Sequence, residues 1–310
     1  MINFLLKERT DAFALEQPLS LLSRIQWIQS FLVIGLHACG LLCLWFTPRA
    51  VDLALFFGLY LATTFSIGIG YHRLLAHRGF VAPRWLRRLL AWVGAAALQG
   101  GPARWTRIHR RHHQLTDKPG DPHSPLKGFF HAHMGWILCV DAEEGSDYRE
   151  LVPDVSGEDP WVRVLDRGVL FTLPWFLTGI FCYAVGGWRG VLWGTVLRTL
   201  ALWHFTWCIN SVCHVWGARP NATRDESRNV WWLGLLTLGE GWHNNHHARP
   251  AAAMHGWRWY QVDFSGYVIR LLARLGVISN VVRPPRVTNT QPTNHPQRSS
   301  HAEPTGNDRV

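Results

Sequence analysis

Long uncharged runs alternate with arginine-rich polar segments along most of the chain. Residues 25–48, 53–71 and 168–188 contain no Asp, Glu, Lys or Arg, and about 20 apolar residues suffice for a helix to cross a bilayer. A fourth apolar run, 190–214, is interrupted only by Arg198. An arginine facing lipid would be costly, so we expect Arg198 to face protein or a cavity. The pattern predicts an all-α integral membrane protein with four transmembrane helices.

The remaining segments differ in composition from these four runs. Residues 89–103 are apolar but short and rich in Gly and Ala, which favours a buried or interfacial helix over a span. After residue 283 the chain is dominated by Pro, Asn, Thr, Ser and Gln, which is typical of disorder. We therefore predict an N-terminal cytoplasmic segment over residues 1–24, one domain over 25–275 and a disordered tail over 283–310.

The distribution of basic residues predicts the orientation in the membrane. The turn between the first two runs holds one Arg, as does the turn between the last two, whereas residues 72–167 hold many Lys and Arg. Basic residues are enriched in cytoplasmic loops. We therefore expect a multi-pass protein, in the inner membrane if it is bacterial, with both termini and residues 72–167 in the cytoplasm.

The composition supports a membrane protein with a substantial polar part. Of 310 residues only 17% are charged, and 18 are Trp and 15 Phe, a content typical of aromatic belts at the lipid–water interface. The mean hydropathy of −0.01 indicates that only part of the chain is embedded. The arginines that give the net charge of +10 flank apolar runs. This favours attraction to anionic lipid or to a substrate head group and argues against nucleic acid as a partner.

Nine histidines lie at the polar ends of the apolar runs. They are His72, His77, His109, His112, His113, His214, His243, His246 and His247. A single zinc needs three or four protein ligands, so nine imidazoles are too many for one ion and suit two. Imidazole binds iron, copper or zinc. Two redox metals beside a membrane indicate oxygen chemistry on a lipid.

The spacing within the histidine boxes predicts how they meet. Residues three and four apart share one face of a helix, so we expect each HxxHH box to converge on one point. The two boxes are His109, His112, His113 and His243, His246, His247. His72 and His77 are five residues apart, and that spacing requires a helix end or a local distortion.

The chain resembles the membrane fatty acid desaturases, most closely the acyl-CoA (stearoyl-CoA) Δ9 branch and its bacterial relatives. The resemblance covers roughly residues 25–275, and the NSxxH element separates this branch from other desaturases. Its most specific stretches are GYHRLLAHRGF, RWTRIHRRHHQLTDKPGDPHSP, NSVCHVWGARP and LGEGWHNNHHARP.

The resemblance implies a fold and a chemistry. A cytoplasmic helical cap would hold a di-iron centre of two iron ions (Fe2+/Fe3+), with the nine histidines as ligands, above a four-helix transmembrane stem. The acyl chain would occupy a bent tunnel running into the stem. The reaction would use O2 and two external electrons to form a cis double bond, at Δ9 for this branch. The electron donor would be a ferredoxin, cytochrome b5 or rubredoxin with its reductase, because the chain carries no such domain.

The resemblance also suggests roles for individual residues. Asn210 is similar to the family's asparagine that reaches one metal through water, and Arg107 matches a position close to the substrate head group. Trp105 is expected to pack over the tunnel, and Phe56 and Tyr60, four residues apart on one helix face, to close its far end. Supporting hydrogen bonds to the histidines are expected from three acidic residues: Glu240, Asp117 and Asp121.

Two other functions are compatible with parts of this pattern. A hydroxylase or monooxygenase of the same histidine-rich superfamily would share the boxes and the metals. A metal-binding membrane transporter would also need histidines, but transporter ligands tend to lie near the bilayer midplane, whereas these cluster at one membrane face. The acyl carrier (CoA or a lipid), the chain length, the electron donor and the oligomeric state stay open.

Overall fold

A computed structural model describes residues 26–139 and 152–285. The predictions for residues 1–24 and for the tail after residue 285 lie outside these ranges. Within them the chain forms helices and isolated β-bridges but no strand. The α-helices are α1 (Trp27–Leu41), α2 (Ala50–Phe65), α3 (Arg84–Ala95), α4 (Pro102–Leu115), α5 (Trp136–Leu138), α6 (Pro153–Glu158), α7 (Pro160–Leu165), α8 (Leu173–Val191), α9 (Arg198–Ser211), α10 (Trp231–Leu236), α11 (His243–Ala248) and α12 (Phe264–Arg274).

Three helical segments in the described part of the chain are long and apolar enough to cross a membrane. They are Trp27–Trp45, Ala50–Ala76 and Leu170–His214. The first contains α1, the second contains α2, and the third contains α8 and α9. Large apolar side chains such as Ile28 and Ile180 are mostly exposed on them. An apolar surface of this kind is suited to contact with lipid.

The longest of these segments folds back on itself at Gly187. Its backbone there has φ 64° and ψ −158°, in a region that glycine enters without steric cost. On either side of this break, Trp175 Nε1 donates to Thr199 Oγ1 at 2.9 Å. A Cβ added at Gly194 would lie 2.7 Å from Cys182 Sγ. The segment therefore consists of two antiparallel arms in close contact.

Arg198 faces protein, as the sequence predicted. Its side chain is fully buried, and its guanidinium donates to the carbonyls of Ala96 at 2.8 Å and Gly194 at 3.2 Å. Ala96 directly follows α3, which has 12 residues and is too short to span a bilayer. The predicted region 89–103 contains no helix long enough to span, but α3 covers only its residues 89–95 and α4 begins at Pro102.

The second apolar segment changes its winding just before the first histidine box. Residues Ser66–Ala76 form a π-helix, whose hydrogen bonds join residues five apart. His77 N donates to His72 O at 3.1 Å. This winding is the local distortion that the five-residue spacing required, and it places both imidazoles on one side of the helix.

Candidate metal centre

The nine predicted histidines form two groups. Within each group the nitrogen atoms available to a metal lie within 4.8 Å of one another. The first group contains five residues and the second four: His72, His77, His109, His113 and His246, then His112, His214, His243 and His247. All nine residues named from the sequence are therefore brought together.

The prediction that each HxxHH box converges on one point is wrong. His113 belongs to the first group, whereas its neighbour His112 belongs to the second. His246 and His247 are divided in the same way. Adjacent residues are about 100° apart around a helix, so their side chains point in different directions. Each box therefore contributes to both groups. The two histidines four residues apart belong to one group, and the histidine between them belongs to the other.

Carboxylates fix the orientation of four imidazoles. The three acidic residues expected from the sequence each accept a hydrogen bond from an Nδ1 atom: Glu240 from His72 at 2.5 Å, Asp121 from His112 at 3.0 Å and Asp117 from His214 at 3.1 Å. Asp225 accepts from His247 Nδ1 at 3.0 Å and was missed. It lies in a polar loop with no spacing signal to connect it with the box.

The donor arrangement fits bound metal. An imidazole that donates from Nδ1 presents the lone pair of Nε2 on its other side. His112 Nε2 and His247 Nε2 are buried without a hydrogen-bond partner, and His214 Nε2 lies 3.0 Å from His243 Nε2. Lone pairs that converge in this way repel one another unless a cation lies among them. The set of imidazoles suits iron, copper or zinc.

The protonation states agree with this arrangement. Burial, together with neighbouring imidazoles, holds the pKa values of His113, His243 and His246 well below the usual histidine value, so they are neutral and able to bind metal. Burial alone would raise the pKa of Glu240, but the neighbouring charges of Arg73, His72 and His255 together outweigh it and hold that pKa well below its usual range. Glu240 is therefore an ionised acceptor.

Arg73 lies behind the first group and was not singled out from the sequence. It is 1% exposed, and its guanidinium pairs with Glu240 and Asp263 at 2.9 Å each. It also donates to the carbonyl of Ala253 at 3.0 Å. This buried network holds the carboxylate that orients His72.

The two asparagines of HNNHH anchor a loop over the second group. Asn244 Oδ1 accepts from Asn221 N at 2.8 Å. Asn245 Oδ1 accepts from the side-chain amides of Asn221 and Asn229 at 2.9 Å each. Both box asparagines are buried. They therefore fix the segment that carries Asp225, a role that the sequence did not reveal.

Two cavities meet beside the histidine groups. The first, of about 330 Å³, runs from Gln26 and Gln29 at the start of α1 to His109. The second, of about 60 Å³, runs from Tyr60 on α2 to His72. Both are lined by the same four residues: Trp105, His109, Thr206 and Asn210. The cavities therefore adjoin at a common point beside the candidate metal ligands.

A hydrogen-bonded bridge marks the point where the cavities adjoin. Trp105 Nε1 donates to Gln99 Oε1 at 3.2 Å, and Gln99 Nε2 donates to Thr206 Oγ1 at 3.1 Å. The Trp105 ring stacks on His109 with centroids 5.0 Å apart. The bridge thus joins α4 to α9 across this point, and Gln99 and Thr206 are contributors that the sequence did not identify.

The residues expected to contact substrate differ in whether they line the two cavities. Tyr60 lines the second cavity and donates to Leu236 O at 2.6 Å. Phe56 stacks against Tyr60 with centroids 6.1 Å apart. Arg107 is buried and lines neither of the two cavities, whereas Arg104 lines the first. The head-group role of Arg107 stays a prediction.

His204 lies apart from the nine. Its Nε2 is 3.0 Å from His37 Nε2, and its Nδ1 is 3.0 Å from His133 Nε2. His37 Nδ1 donates to Val33 O at 2.7 Å, so His204 can donate to His37 and accept from His133. These three imidazoles satisfy one another as hydrogen-bond partners and need no cation.

Comparison with known proteins connects this site with a lipid-modifying family. The profile of the fatty acid desaturase family matches residues 50–264. An sn-2 palmitoyl-lipid 9-desaturase of Nostoc sp. is 40% identical over 84% of this chain and 92% of its own. An sn-1 stearoyl-lipid 9-desaturase of Synechocystis sp. is 36% identical over 84% of this chain and 81% of its own. A chloroplastic palmitoyl-monogalactosyldiacylglycerol delta-7 desaturase of Arabidopsis thaliana is 41% identical over 81% of this chain and 67% of its own.

Proposed function

The chain belongs to the fatty acid desaturase family, and from that premise we propose that it forms a cis double bond at Δ9 of a saturated acyl chain carried on a membrane glycerolipid. It is an oxidoreductase that acts on fatty acyl chains. The acyl carrier is proposed from its relatives, because the cyanobacterial proteins at 40% and 36% identity are named for lipid-linked palmitoyl and stearoyl substrates and for position 9.

One observation carries the proposal: members of both histidine groups line the second cavity, and His109 lines both cavities where they adjoin. We propose that the nine histidines hold two iron ions there. Iron at this position would supply the oxygen activation needed to remove hydrogen from an unactivated methylene. The balanced reaction consumes O2, two electrons and two protons with the CH2–CH2 unit and yields CH=CH and two waters. The remaining tasks, orientation and exclusion of water, belong to the protein.

The chain's own residues would position the acyl chain. The first cavity would hold the carboxyl end and the second the methyl end, so the bond to be desaturated would lie between Trp105 and Thr206. The bridge through Gln99 makes this point rigid, and a rigid site fixes which carbons face the metals. Asn210 lines both cavities and would hold a water beside one metal.

We also propose four transmembrane spans with both termini in the cytoplasm. Gly187 divides the 45-residue segment Leu170–His214 into two antiparallel arms, each near the length required to cross a bilayer. Together with the two other apolar segments this makes four crossings. His72 and His214 would lie at the ends of these segments, and the other seven histidines in a helical cap next to them. Both termini would then lie on the same side as the metals.

Expression in a host that lacks Δ9 desaturation tests the proposed function. Saturated glycerolipids should gain a cis double bond at Δ9, found by gas chromatography of derivatised acyl chains and by mass spectrometry of intact lipids. An alcohol in place of an alkene would identify a hydroxylase instead. An alkene that appears in the acyl-CoA pool before it appears in glycerolipid would move the proposed carrier to CoA.

Replacing Asn210 by Ala should reduce turnover far more than iron content. We propose that its side chain holds water and does not bind metal directly, so the ligand set would stay complete. Iron per protein, measured by mass spectrometry, should remain near two while alkene formation falls by at least about tenfold, the lower range for residues that support a metal site. Loss of both irons would instead make Asn210 a structural residue or a direct ligand.

Replacing Tyr60 by Ala should shift the substrate preference toward longer acyl chains. Tyr60→Ala removes a ring from the wall of the second cavity, and Phe56→Ala removes the ring behind it. Added methylenes should then fit, while the double bond keeps its position counted from the carboxyl end. The profile is measured with a mixture of saturated acyl chains. Phe57→Ala, 57% exposed, is the control, and an unchanged profile in both test variants would exclude this pair as the chain-length stop.

Asp225 should support metal binding through His247. Asp225→Asn weakens the acceptor for His247 Nδ1, and loss of such an outer partner typically costs 10–100-fold in metal affinity or activity, so we expect roughly that loss. Competition with a chelator measures the iron affinity. Glu226→Gln is the control, because that side chain pairs with Arg219 and is 54% exposed. Equal chelator sensitivity of the two variants would contradict the role of Asp225.

A further inference from the structure

The first cavity reaches the surface of the protein between two apolar segments. Among the residues that line it, Gln29, Leu32 and Gly168 are exposed. Gln29 and Leu32 belong to α1, and Gly168 lies directly before the segment Leu170–His214. The opening of the cavity therefore lies between the first residues of two segments that are long and apolar enough to cross a membrane.

On the α1 side, the edge of the opening is also a surface suited to lipid. Ile28 lies one turn before Leu32 and is 83% exposed, and residues four apart share one face of a helix. Leu32 itself is 40% exposed. Exposed apolar surface on such a segment is suited to contact with lipid. Leu32 therefore contacts both the cavity and the surroundings of the stem.

The opposite edge of the opening has the same character. Val169 and Leu170 are 74% and 41% exposed, and the next residue, Phe171, lines the cavity. Three consecutive apolar residues thus lead from the outer surface to the interior. The opening has apolar side chains on both of its edges.

The depth of the opening exceeds the thickness of the lipid–water interface. From Gln26 to Leu32 the wall of the cavity extends over six residues, about 9 Å along a helix axis. The interfacial region on one side of a bilayer is only about 5–7 Å thick. With Gln26 at the membrane surface, the opening therefore continues into the hydrocarbon region, which a carrier dissolved in water does not enter.

The polar groups at the opening suit an uncharged linkage. Arg104 is the only Lys or Arg among the described residues that line the first cavity. Asp166, which also lines it, accepts from Ala103 N at 3.0 Å and from Arg104 N at 3.3 Å and so caps α4. CoA carries several phosphate charges, which arginines bind well, and one arginine is few for it. An ester carbonyl needs only a neutral donor, and the amide of Gln29 is one.

We propose that the opening is a lateral entrance, through which one acyl chain of a membrane glycerolipid enters the first cavity while the other chain stays in the bilayer. This inference rests on the proposed function. The ester of the entering chain lies beside Gln29, and the chain runs past Leu32 and Phe171 toward Trp105. The substrate then never leaves the membrane, so the unfavourable exposure of an acyl chain to water is avoided.

Photolabelling tests the lateral entrance by direct binding. The protein is placed in nanodiscs that contain phosphatidylglycerol whose palmitoyl chain carries a diazirine between the ester and the proposed double-bond position. Mass spectrometry of peptides should find the label on Leu98, Ile108 and Trp203. These residues line the first cavity and are at most 7% exposed, so lipid outside the protein does not reach them. Palmitoyl-CoA with the same diazirine, added in water, should label them much less.

Three variants locate the entrance. L32W should reduce labelling by about tenfold, because extra atoms in an occupied space oppose binding. L170W narrows the opening from outside, since Leu170 is not among the residues that line the cavity, and should reduce labelling in the same direction. I34W is the matched control, because Ile34 lies on α1, is 63% exposed and does not line the cavity. It should be labelled as the wild type is.

Gln29→Leu tests the contact with the ester. Loss of one neutral hydrogen bond should reduce labelling about two- to tenfold, while L32W and L170W report on the entrance itself. Unchanged labelling of this variant would remove Gln29 from the binding site.

The labelling pattern decides the proposal. Equal labelling of wild type, L32W and L170W would overturn it, and so would a loss in L32W alone, because the tryptophan would then only fill the cavity. Stronger labelling by palmitoyl-CoA than by the lipid probe would also overturn it. If L32W does not fold, L170W against I34W decides. Labelling needs neither metal nor electrons: labelled protein that forms no alkene would refute desaturation alone, and alkene in glycerolipids without labelling would refute the entrance alone.

Discussion

Replacing His246 by Ala should abolish alkene formation while the protein stays in the membrane. His246 Nε2 lies 3.0 Å from His72 Nε2 and 2.9 Å from His113 Nε2, at the centre of the first group. Loss of a partner outside the ligand set typically costs 10–100-fold in activity. Loss of a ligand should therefore cost more than about 100-fold, and iron content should fall as well.

Iron per protein and alkene yield are the two measurements for this variant. The same result is expected for His113→Ala and His214→Ala, one from each histidine group. His204→Gln is the control, because His204 is a histidine of the same membrane region whose nitrogens bond to His37 and His133. It should keep both irons and most of its activity. Full activity in any of the three test variants would remove that histidine from the ligand set.

Replacing Arg73 by Met should destabilise the cap more than any other single change considered. The substitution leaves Glu240 and Asp263 buried without the guanidinium that neutralises them. Removing one partner of a buried ion pair typically costs 3–5 kcal/mol, and we expect about that loss of unfolding free energy. His72 would also lose the fixed position of its acceptor, so iron should bind more weakly.

Thermal unfolding in detergent, followed by near-UV circular dichroism, measures this effect. Arg78→Met is the matched control. Arg78 also pairs with a carboxylate, Asp154, but its side chain is 65% exposed, and an exposed pair contributes only about 0–1 kcal/mol. A melting temperature for Arg73→Met close to that of Arg78→Met would show that the buried network contributes little to stability.

The sequence was sufficient to identify the apolar segments and the nine histidines that form the two groups. A bilayer imposes a minimum length on an apolar helix, so the spans can be read as uncharged runs, and the three apolar segments of the structure coincide with them. The cost of a charge in lipid indicated that Arg198 is covered, and it is buried. The histidines were recognisable because metal binding requires several of one residue type at short spacings, and all nine are brought together.

The hydrogen-bond and ion-pair partners of these residues could be predicted from the sequence only in part. Glu240, Asp117 and Asp121 were found because they lie near a histidine box in the chain. Asp225 is far from its box in sequence, and Arg73 carries no signal that separates it from other arginines beside apolar runs. Contacts of this kind depend on which segments meet after folding.

Tertiary structure alone decided how the nine histidines divide into two groups and where the two cavities adjoin. Local spacing places His112 and His113 on one helix but does not say that they face different histidine groups, because that depends on the position of α4 relative to α11. The meeting point of the two cavities depends likewise on the contact of Gln99 and Trp105 with Thr206, which is distant from both in the chain. Sequence periodicity describes the faces of one helix, whereas the site is formed by the packing of several.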